Sequence, residues 1–149
     1  MQPQRPQQPQ TPRRLLALDP GERRIGVAIS DELGLYAHAR AAIIVRGGAD
    51  PIDRIAVLVA DEHVDEVVVG RPLSLSGGES AQTAIAHAFA QHLRERLEIP
   101  VSEWDERLSS VEAGRSVGGA RRRTGELDSA AAAIVLQAVL DSRRARAIR

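Results

Sequence analysis

Two apolar runs joined by a short turn make up residues 15–31, Leu15-Leu16-Ala17-Leu18-Asp19-Pro20-Gly21-Glu22-Arg23-Arg24-Ile25-Gly26-Val27-Ala28-Ile29-Ser30-Asp31. The four apolar residues that open this stretch predict a strand buried on both faces. The second run alternates branched and small residues, which predicts the neighbouring strand of a hairpin. Pro20-Gly21 supplies the turn and leaves the backbone beside Asp19 uncovered by side chains. From this stretch alone, Asp19 is equally well a turn-capping residue or a ligand for a cation.

Composition restricts the chemistry that the chain can perform. The 149 residues fit one domain, and their near-lack of aromatics (2%) argues against an array of stacking aromatics for single-stranded nucleic acid. The lack of cysteine excludes disulfides, thiolate catalysis and cysteine-based zinc sites. All 20 basic residues are Arg, so a catalytic lysine is excluded and phosphate contacts would be made by guanidinium groups. No apolar run has membrane length and no signal-peptide pattern opens the chain, so we expect a cytoplasmic protein without a membrane partner.

The chain beyond the hairpin alternates strand and helix patterns. Asp50-Pro51 marks a helix start, because Asp caps a helix and Pro fits its first position. The order predicts an α/β fold in which a central five-stranded mixed sheet, with strand one in its middle, is flanked by helices. The predicted elements after the hairpin are a strand at 35–45, a helix from Asp50, a strand at 64–70, a helix at 80–97, a strand at 100–106, a short helix from Ser109 and a long helix from Leu127 to Asp141.

The chain divides into a disordered Gln/Pro-rich tail at 1–12, one domain at 13–142 and a basic tail at 143–149. On the helix at 80–97, helical spacing predicts a packed stripe of Ala81, Ala84, Ile85, Ala88, His92 and Leu93.

Acidic residues recur where elements end or begin. Asp105 and Glu106 end the fifth strand, and Asp128 opens the last helix. In a sheet with strand one at its centre, these positions and Asp19 lie near one another, and three converging carboxylates repel unless a divalent cation neutralises them. Oxygen ligands favour Mg²⁺ or Mn²⁺, which could activate water against a phosphodiester. Taken singly, Asp105-Glu106 is equally a solvated turn and Asp128 a plain helix cap.

Arginines accompany these acids. A glycine-flanked loop carries three of them just before Asp128 and would supply backbone-phosphate contacts, although a solvated loop is an equal alternative. The predicted nucleic-acid contacts are Arg23, Arg24, Arg71, Arg107, Arg121, Arg122 and Arg123.

Four motifs in this order resemble the YqgF family, also called RuvX: 18–31 from Leu18-Asp19-Pro20-Gly21 onward, Val68-Val69-Gly70-Arg71-Pro72-Leu73, 105–113 from Asp105-Glu106-Arg107 onward, and 128–137 from Asp128-Ser129 onward. The resemblance covers about residues 13–142. It implies a ribonuclease H-like fold and a carboxylate-bound divalent metal.

The same resemblance implies that Asp19, the Asp105-Glu106 pair and Asp128 are the catalytic set, with Asp19, Glu106 and Asp128 as metal ligands. Of the pair we favour Glu106, because adjacent strand residues face opposite ways. Three features depart from the family pattern: Ser76 precedes Gly77 where Asp-Gly is usual, the linker from Ala113 to Asp128 is short, and the Gln/Pro tail is an extra that the resemblance does not explain.

The resemblance implies a metal-dependent endonuclease that matures the 5′ end of precursor 16S ribosomal RNA, with precursor rRNA and ribosomal particles as partners and a monomer or homodimer as the active form. One alternative is a Holliday junction resolvase acting on branched DNA, which requires a two-fold dimer. Another is a non-catalytic module that binds ribosomes or the transcription machinery. The Asp-Pro-Gly turn also resembles the phosphate loop of actin-like and sugar-kinase ATPases, which close two such domains around ATP, whereas this chain supplies one.

Overall fold

The computed structural model describes residues 13–45, 50–71, 81–106 and 129–147. In chain order the elements are β1 (Leu15–Pro20), β2 (Arg24–Ser30), β3 (Ala37–Ile44), α1 (Pro51–Asp61), β4 (Glu66–Arg71), α2 (Ala81–Arg96), β5 (Val101–Asp105) and α3 (Ala130–Ala147). The predicted tail at 1–12, the short helix from Ser109 and the arginine-bearing loop at 118–125 lie outside the described residues. Within the described ranges, no helix combines the length and apolarity that crossing a membrane requires.

The five strands form one mixed sheet in the order β3-β2-β1-β4-β5. β1 pairs antiparallel with β2 and parallel with β4, and β4 pairs parallel with β5. The central position of strand one and the flanking helices are therefore confirmed. Because β1, β4 and β5 are parallel, their carboxyl ends meet at one edge of the sheet, which we call the carboxyl edge.

Alternation along β1 divides the core into two layers. Leu16 and Leu18 face α1 and α2, whereas Leu15 and Ala17 face α3. Both sets are almost fully buried, as a strand that is covered on both faces requires. On each strand, the residues in register with Leu15 and Ala17 therefore lie on the α3 face of the sheet.

The sequence predicts the start of α1 correctly but not the face of α2 that packs inward. The Asp50 carboxylate accepts a hydrogen bond of 2.9 Å from the Ile52 backbone N–H, which confirms the predicted cap of α1. The predicted packed stripe of α2 is wrong. Of its six residues Leu93 is buried, and the other five, including Ile85 and His92, are exposed. Alanines occur on every side of this helix, so apolarity does not define one face. The residues that pack inward are Thr83, Ala86, Ala90 and Leu93.

The last helix is longer than predicted, because α3 continues through Ala147. Arg143 forms two hydrogen bonds of 2.7 Å with the carboxylate of Glu66, which is 6% exposed at the start of β4. These hydrogen bonds lower the pKa of Glu66. Residues 143–147 therefore belong to a packed helix, which corrects the prediction of a basic tail from residue 143; residues 148 and 149 lie outside the described range.

Replacing Arg143 tests this pair. Arg143→Met is expected to lower the free energy of unfolding by about 1–3 kcal/mol near neutral pH, because a buried carboxylate loses its guanidinium partner. Since the pKa of Glu66 is lowered in the folded protein, the stabilisation is present above the ordinary carboxyl pKa and is lost as pH falls through the folded value. Urea denaturation at neutral and at acidic pH measures both effects.

The matched control is Arg144→Met, which removes an exposed arginine that pairs with Asp141 on the same helix. Its expected cost is below about 0.5 kcal/mol. Equal costs for the two variants at neutral pH would contradict the assignment of Arg143 to a stabilising pair.

Candidate active site

Asp19 lies near the carboxyl end of β1, where a tight hairpin turns the chain into β2. The Gly21 backbone N–H donates a hydrogen bond of 2.9 Å to the Arg24 carbonyl oxygen. A Cβ atom on Gly21 would stand 2.8 Å from that oxygen, too close for any residue other than glycine without movement of the backbone. The turn therefore holds the end of β1, and Asp19 with it, at the carboxyl edge.

Glycines flank Asp19 on both neighbouring strands. Gly26 of β2 is its register partner. On the other side, Val69 of β4 is the partner of Leu18, so the next residue, Gly70, lies beside Asp19. Both neighbours lack side chains, so neither places a side chain of its own against the Asp19 carboxyl group on the α3 face of the sheet.

Glu106 occupies the space above Gly70. It follows the last residue of β5, and a Cβ atom built on Gly70 would stand 2.7 Å from its Oε1 atom. Its carboxyl group forms a hydrogen bond with the carboxyl group of Asp19. The absence of a side chain at position 70 thus allows two carboxyl groups from different strands to meet.

This close approach perturbs the titration of both acids. Burial raises the pKa of Glu106 to about 8, assisted by the negative charge of Asp19, by their shared hydrogen bond and by the charge of Asp105. Burial also raises the pKa of Asp19, and the hydrogen bond with Glu106 opposes that rise. Near neutral pH and without a cation, the pair therefore shares a proton.

Asp105 lies on the other face of the sheet. Strand alternation places it with Glu103, whose carboxylate contacts His87 and Arg94 of α2. Of the two acids that end β5, the structure thus brings Glu106 against Asp19, while Asp105 acts on Glu106 through its charge.

A hydrogen bond holds the start of α3 against β2, beside Asp19. Ser129 is fully buried, and its Oγ atom accepts a hydrogen bond of 2.9 Å from the backbone N–H of Val27. Val27 is the register partner of Leu18, the residue before Asp19. The predicted third acid, Asp128, lies outside the described residues, directly before Ser129 in the chain.

Three of the predicted nucleic-acid contacts lie along the carboxyl edge. Arg23 and Arg24 are exposed at the hairpin turn, and Arg71 ends β4 as the register partner of Asp105. The others, Arg107 and Arg121 to Arg123, lie outside the described residues.

The donor set suits a hard divalent cation. Two carboxyl groups that share a proton become two oxygen ligands when a cation replaces that proton, and Mg²⁺ and Mn²⁺ prefer such ligands. In the part of the chain that the structure describes, no group of three acids, histidines or cysteines is placed to hold a metal ion. The described site therefore supplies two candidate ligands, Asp19 and Glu106.

Sequence reasoning missed the residues that make room for this pair. A glycine inside a strand marks a close approach of another group, and Gly26 and Gly70 carried that signal within Ile25-Gly26-Val27 and Val69-Gly70-Arg71. Ser129 carried none, because a serine at a helix start is ordinary capping chemistry.

The raised pKa of Glu106 predicts a pH dependence of stability in metal-free protein. An acid whose pKa rises on folding, here from an ordinary 4.5 to about 8, stabilises the fold below the ordinary value and loses that contribution as pH rises to the folded value. The slope is at most about 1.4 kcal/mol per pH unit for a fully buried acid and is smaller for half-buried Glu106. We expect Glu106→Gln to remove this decline.

Urea denaturation in EDTA between about pH 5 and pH 9 measures the difference between the wild type and Glu106→Gln, so that the titration of the histidines cancels. Glu95→Gln, which changes an exposed acid of α2, is the matched control and should follow the wild type. Parallel curves for the wild type and Glu106→Gln would refute the shared proton.

Solved structures of low sequence identity share the fold. Thermus thermophilus RuvC in complex with a Holliday junction superimposes with a TM-score of 0.59 at 18% identity, over 89% of this chain and 96% of its own. The yeast mitochondrial Holliday junction resolvase Ydc2 gives 0.51 at 10% identity, over 87% and 78%. The predicted ribonuclease H-like fold is therefore confirmed.

Sequence relatives are much more similar. A Syntrophus aciditrophicus protein named "Putative pre-16S rRNA nuclease" is 43% identical over 133 residues, 87% of this chain and 89% of its own. A Thermobifida fusca protein of the same name is 43% identical over 141 residues, 87% of each chain. The model of the RuvX family, described as Holliday junction resolvase, matches residues 13–142. On these matches, the chain belongs to the RuvX family.

Proposed function

We propose that this protein is a divalent-metal-dependent nuclease that hydrolyses phosphodiester bonds at the 5′ end of precursor 16S ribosomal RNA in the cytoplasm. The observation that carries the proposal is the carboxyl pair of Asp19 and Glu106 at the carboxyl end of the central strand. The names of the relatives support a nuclease and point to this substrate.

Asp19, Glu106 and Asp128 are the proposed ligands for Mg²⁺ or Mn²⁺. When bound, such an ion lowers the pKa of water and stabilises the charge that develops on the phosphodiester. Glu106 must release its proton before it can act as a ligand, so metal affinity should increase with pH up to about its folded pKa. Asp105 is not a proposed ligand. Its negative charge, on the opposite face of the sheet, helps to raise the pKa of Glu106.

The arginines are the proposed contacts to the nucleic-acid backbone. Arg23 and Arg24 are exposed near Asp19 at the carboxyl edge, where they would bind phosphates that flank the scissile bond. The positive end of the α3 dipole lies towards the same edge, since Ser129 fastens that end to β2. We extend the phosphate-binding set to Arg71, Arg107 and Arg121 to Arg123, as the sequence predicts.

Cleavage assays on two substrates test the function. The full chain with Mn²⁺ or Mg²⁺ is expected to cut a precursor rRNA fragment that carries the 16S 5′ end. Asp19→Asn and Glu106→Gln should each lower the rate more than about 100-fold, because each removes a metal ligand. Asp53→Asn, which alters an exposed acid of α1, is the matched control and should cut at the wild-type rate.

A four-way DNA junction is the competing substrate in the same assay. Symmetrical cuts in the junction, with the precursor rRNA left intact, would overturn the RNA assignment in favour of a resolvase. Unchanged rRNA processing in cells that carry Asp19→Asn would overturn catalysis and favour a binding module.

Gly70→Ala tests the geometry of the pair separately from its charge. The new Cβ atom would press on the end of the Glu106 side chain, which is flexible and can move aside, so the melting temperature should change little. Displacement of this carboxyl group by about 1 Å is expected to lower the cleavage rate on the order of 100-fold.

The companion measurement places Gly70→Ala in a Glu106→Ala background, where nothing remains for the new methyl group to displace. There the substitution is expected to leave metal affinity unchanged, whereas in the wild-type background it should weaken it. Full activity of the single Gly70→Ala variant would contradict the role of this glycine.

A further inference from the structure

Trp104 is the one tryptophan of the chain and lies at the border of the candidate site. It stands on β5, two residues before Glu106, and is the register partner of Gly70. Because Gly70 also lies beside Asp19, one row across the sheet contains Asp19, Gly70 and Trp104 in that order. Two strand spacings separate the Asp19 and Trp104 backbones, about 10 Å.

The indole faces the same side of the sheet as the carboxyl pair. Trp104 packs against the core layer that contains Ala17 and Val68, which is the α3 face. On this face, α3 packs mainly on β1, β2 and β3, towards the edge of the sheet that is farther from β5. Gly70, between the two residues, has no side chain, and the Glu106 carboxyl group lies over it.

The orientation of the ring leaves apolar surface at this border. The indole Nε1 atom is buried, and no described residue accepts a hydrogen bond from it. Trp104 as a whole is partly exposed, so its exposed part does not include the polar N–H. An aromatic carbon surface next to the Asp19–Glu106 pair, on a sheet whose β1–β2 turn exposes Arg23 and Arg24, suits a ligand that is both flat and anionic, which describes a nucleotide.

We infer that Trp104 positions the substrate by stacking its indole ring on an unpaired nucleobase. This base lies next to the phosphodiester that is hydrolysed at the Asp19–Glu106 site. The inference rests on the proposed nuclease function and adds the class of substrate, which is single-stranded nucleic acid. A base inside a duplex is already stacked on its neighbours and is not available to the indole ring. A single-stranded segment, rather than a continuous duplex, is thus the form of nucleic acid that enters the site. Trp104 acts as a positioning residue and takes no part in the bond-breaking step.

Kinetics of two Trp104 variants test the inference. Trp104→Leu is expected to raise KM for a single-stranded RNA about 10-fold, the effect of losing one base–aromatic contact, with kcat changed much less. Trp104→Phe keeps a ring and should recover most of the affinity. A merely structural role would instead lower the melting temperature without this split between KM and kcat. Tyr36→Leu, which removes an exposed aromatic side chain at the opposite edge of the sheet, is the control and should leave both constants unchanged.

Intrinsic fluorescence tests stacking without catalysis, because all tryptophan emission of the chain comes from position 104. In an Asp19→Asn background, a single-stranded oligonucleotide is expected to quench this emission, and a duplex of the same sequence should quench it far less. Equal KM values for the wild type and Trp104→Leu, or equal quenching by both oligonucleotides, would overturn the inference. If the wild type cut no RNA, the proposed function would fail, and quenching would still decide whether Trp104 stacks on a base.

Discussion

Two carboxyl groups held within hydrogen-bond distance at the end of a central strand are the constraint on which the site depends. Burial and mutual repulsion both oppose the second negative charge, so Glu106 keeps a proton until its pKa of about 8 is passed. Such an arrangement costs stability once both groups are charged, and the backbone around it leaves room for both carboxyl groups. Gly70 gives Glu106 its space, and Gly21 permits the turn that ends β1 beside it.

The topology explains how residues so far apart in the chain reach this point. β1 lies in the middle of the sheet, with β4 and β5 parallel to it on one side, so strand ends that are far apart in sequence share one edge. Ser129 then fastens α3 to β2 beside Asp19, whereas Arg143 fastens the other end of the same helix to Glu66 at the opposite edge. Asp128, the proposed third ligand, directly precedes Ser129 in the chain.

Much of the fold was accessible from the sequence, because apolar runs and turn residues report directly on buried strands. The position of β1, the cap of α1 and the mixed sheet followed from such signals. The inward face of α2 did not, since alanine is compatible with either side of a helix and the choice was made by packing. The extent of α3 was not predictable either: the sequence predicts a basic tail from Arg143, whose partner Glu66 lies on a distant strand.

The acids of the candidate site are predictions from the sequence, whereas the contact between Asp19 and Glu106 depends on geometry that the sequence does not contain. Strand alternation correctly indicated that only one of Asp105 and Glu106 can face Asp19, but the space over Gly70 depends on the register of β4 against β1. The most direct measurement is a crystal structure of the full chain grown with Mn²⁺, with anomalous scattering locating the ion. The account predicts an anomalous peak coordinated by Asp19 and Glu106, with their mutual hydrogen bond gone. A saturating Mn²⁺ concentration that leaves the two carboxyl groups bonded to each other, with no peak between them, would contradict it.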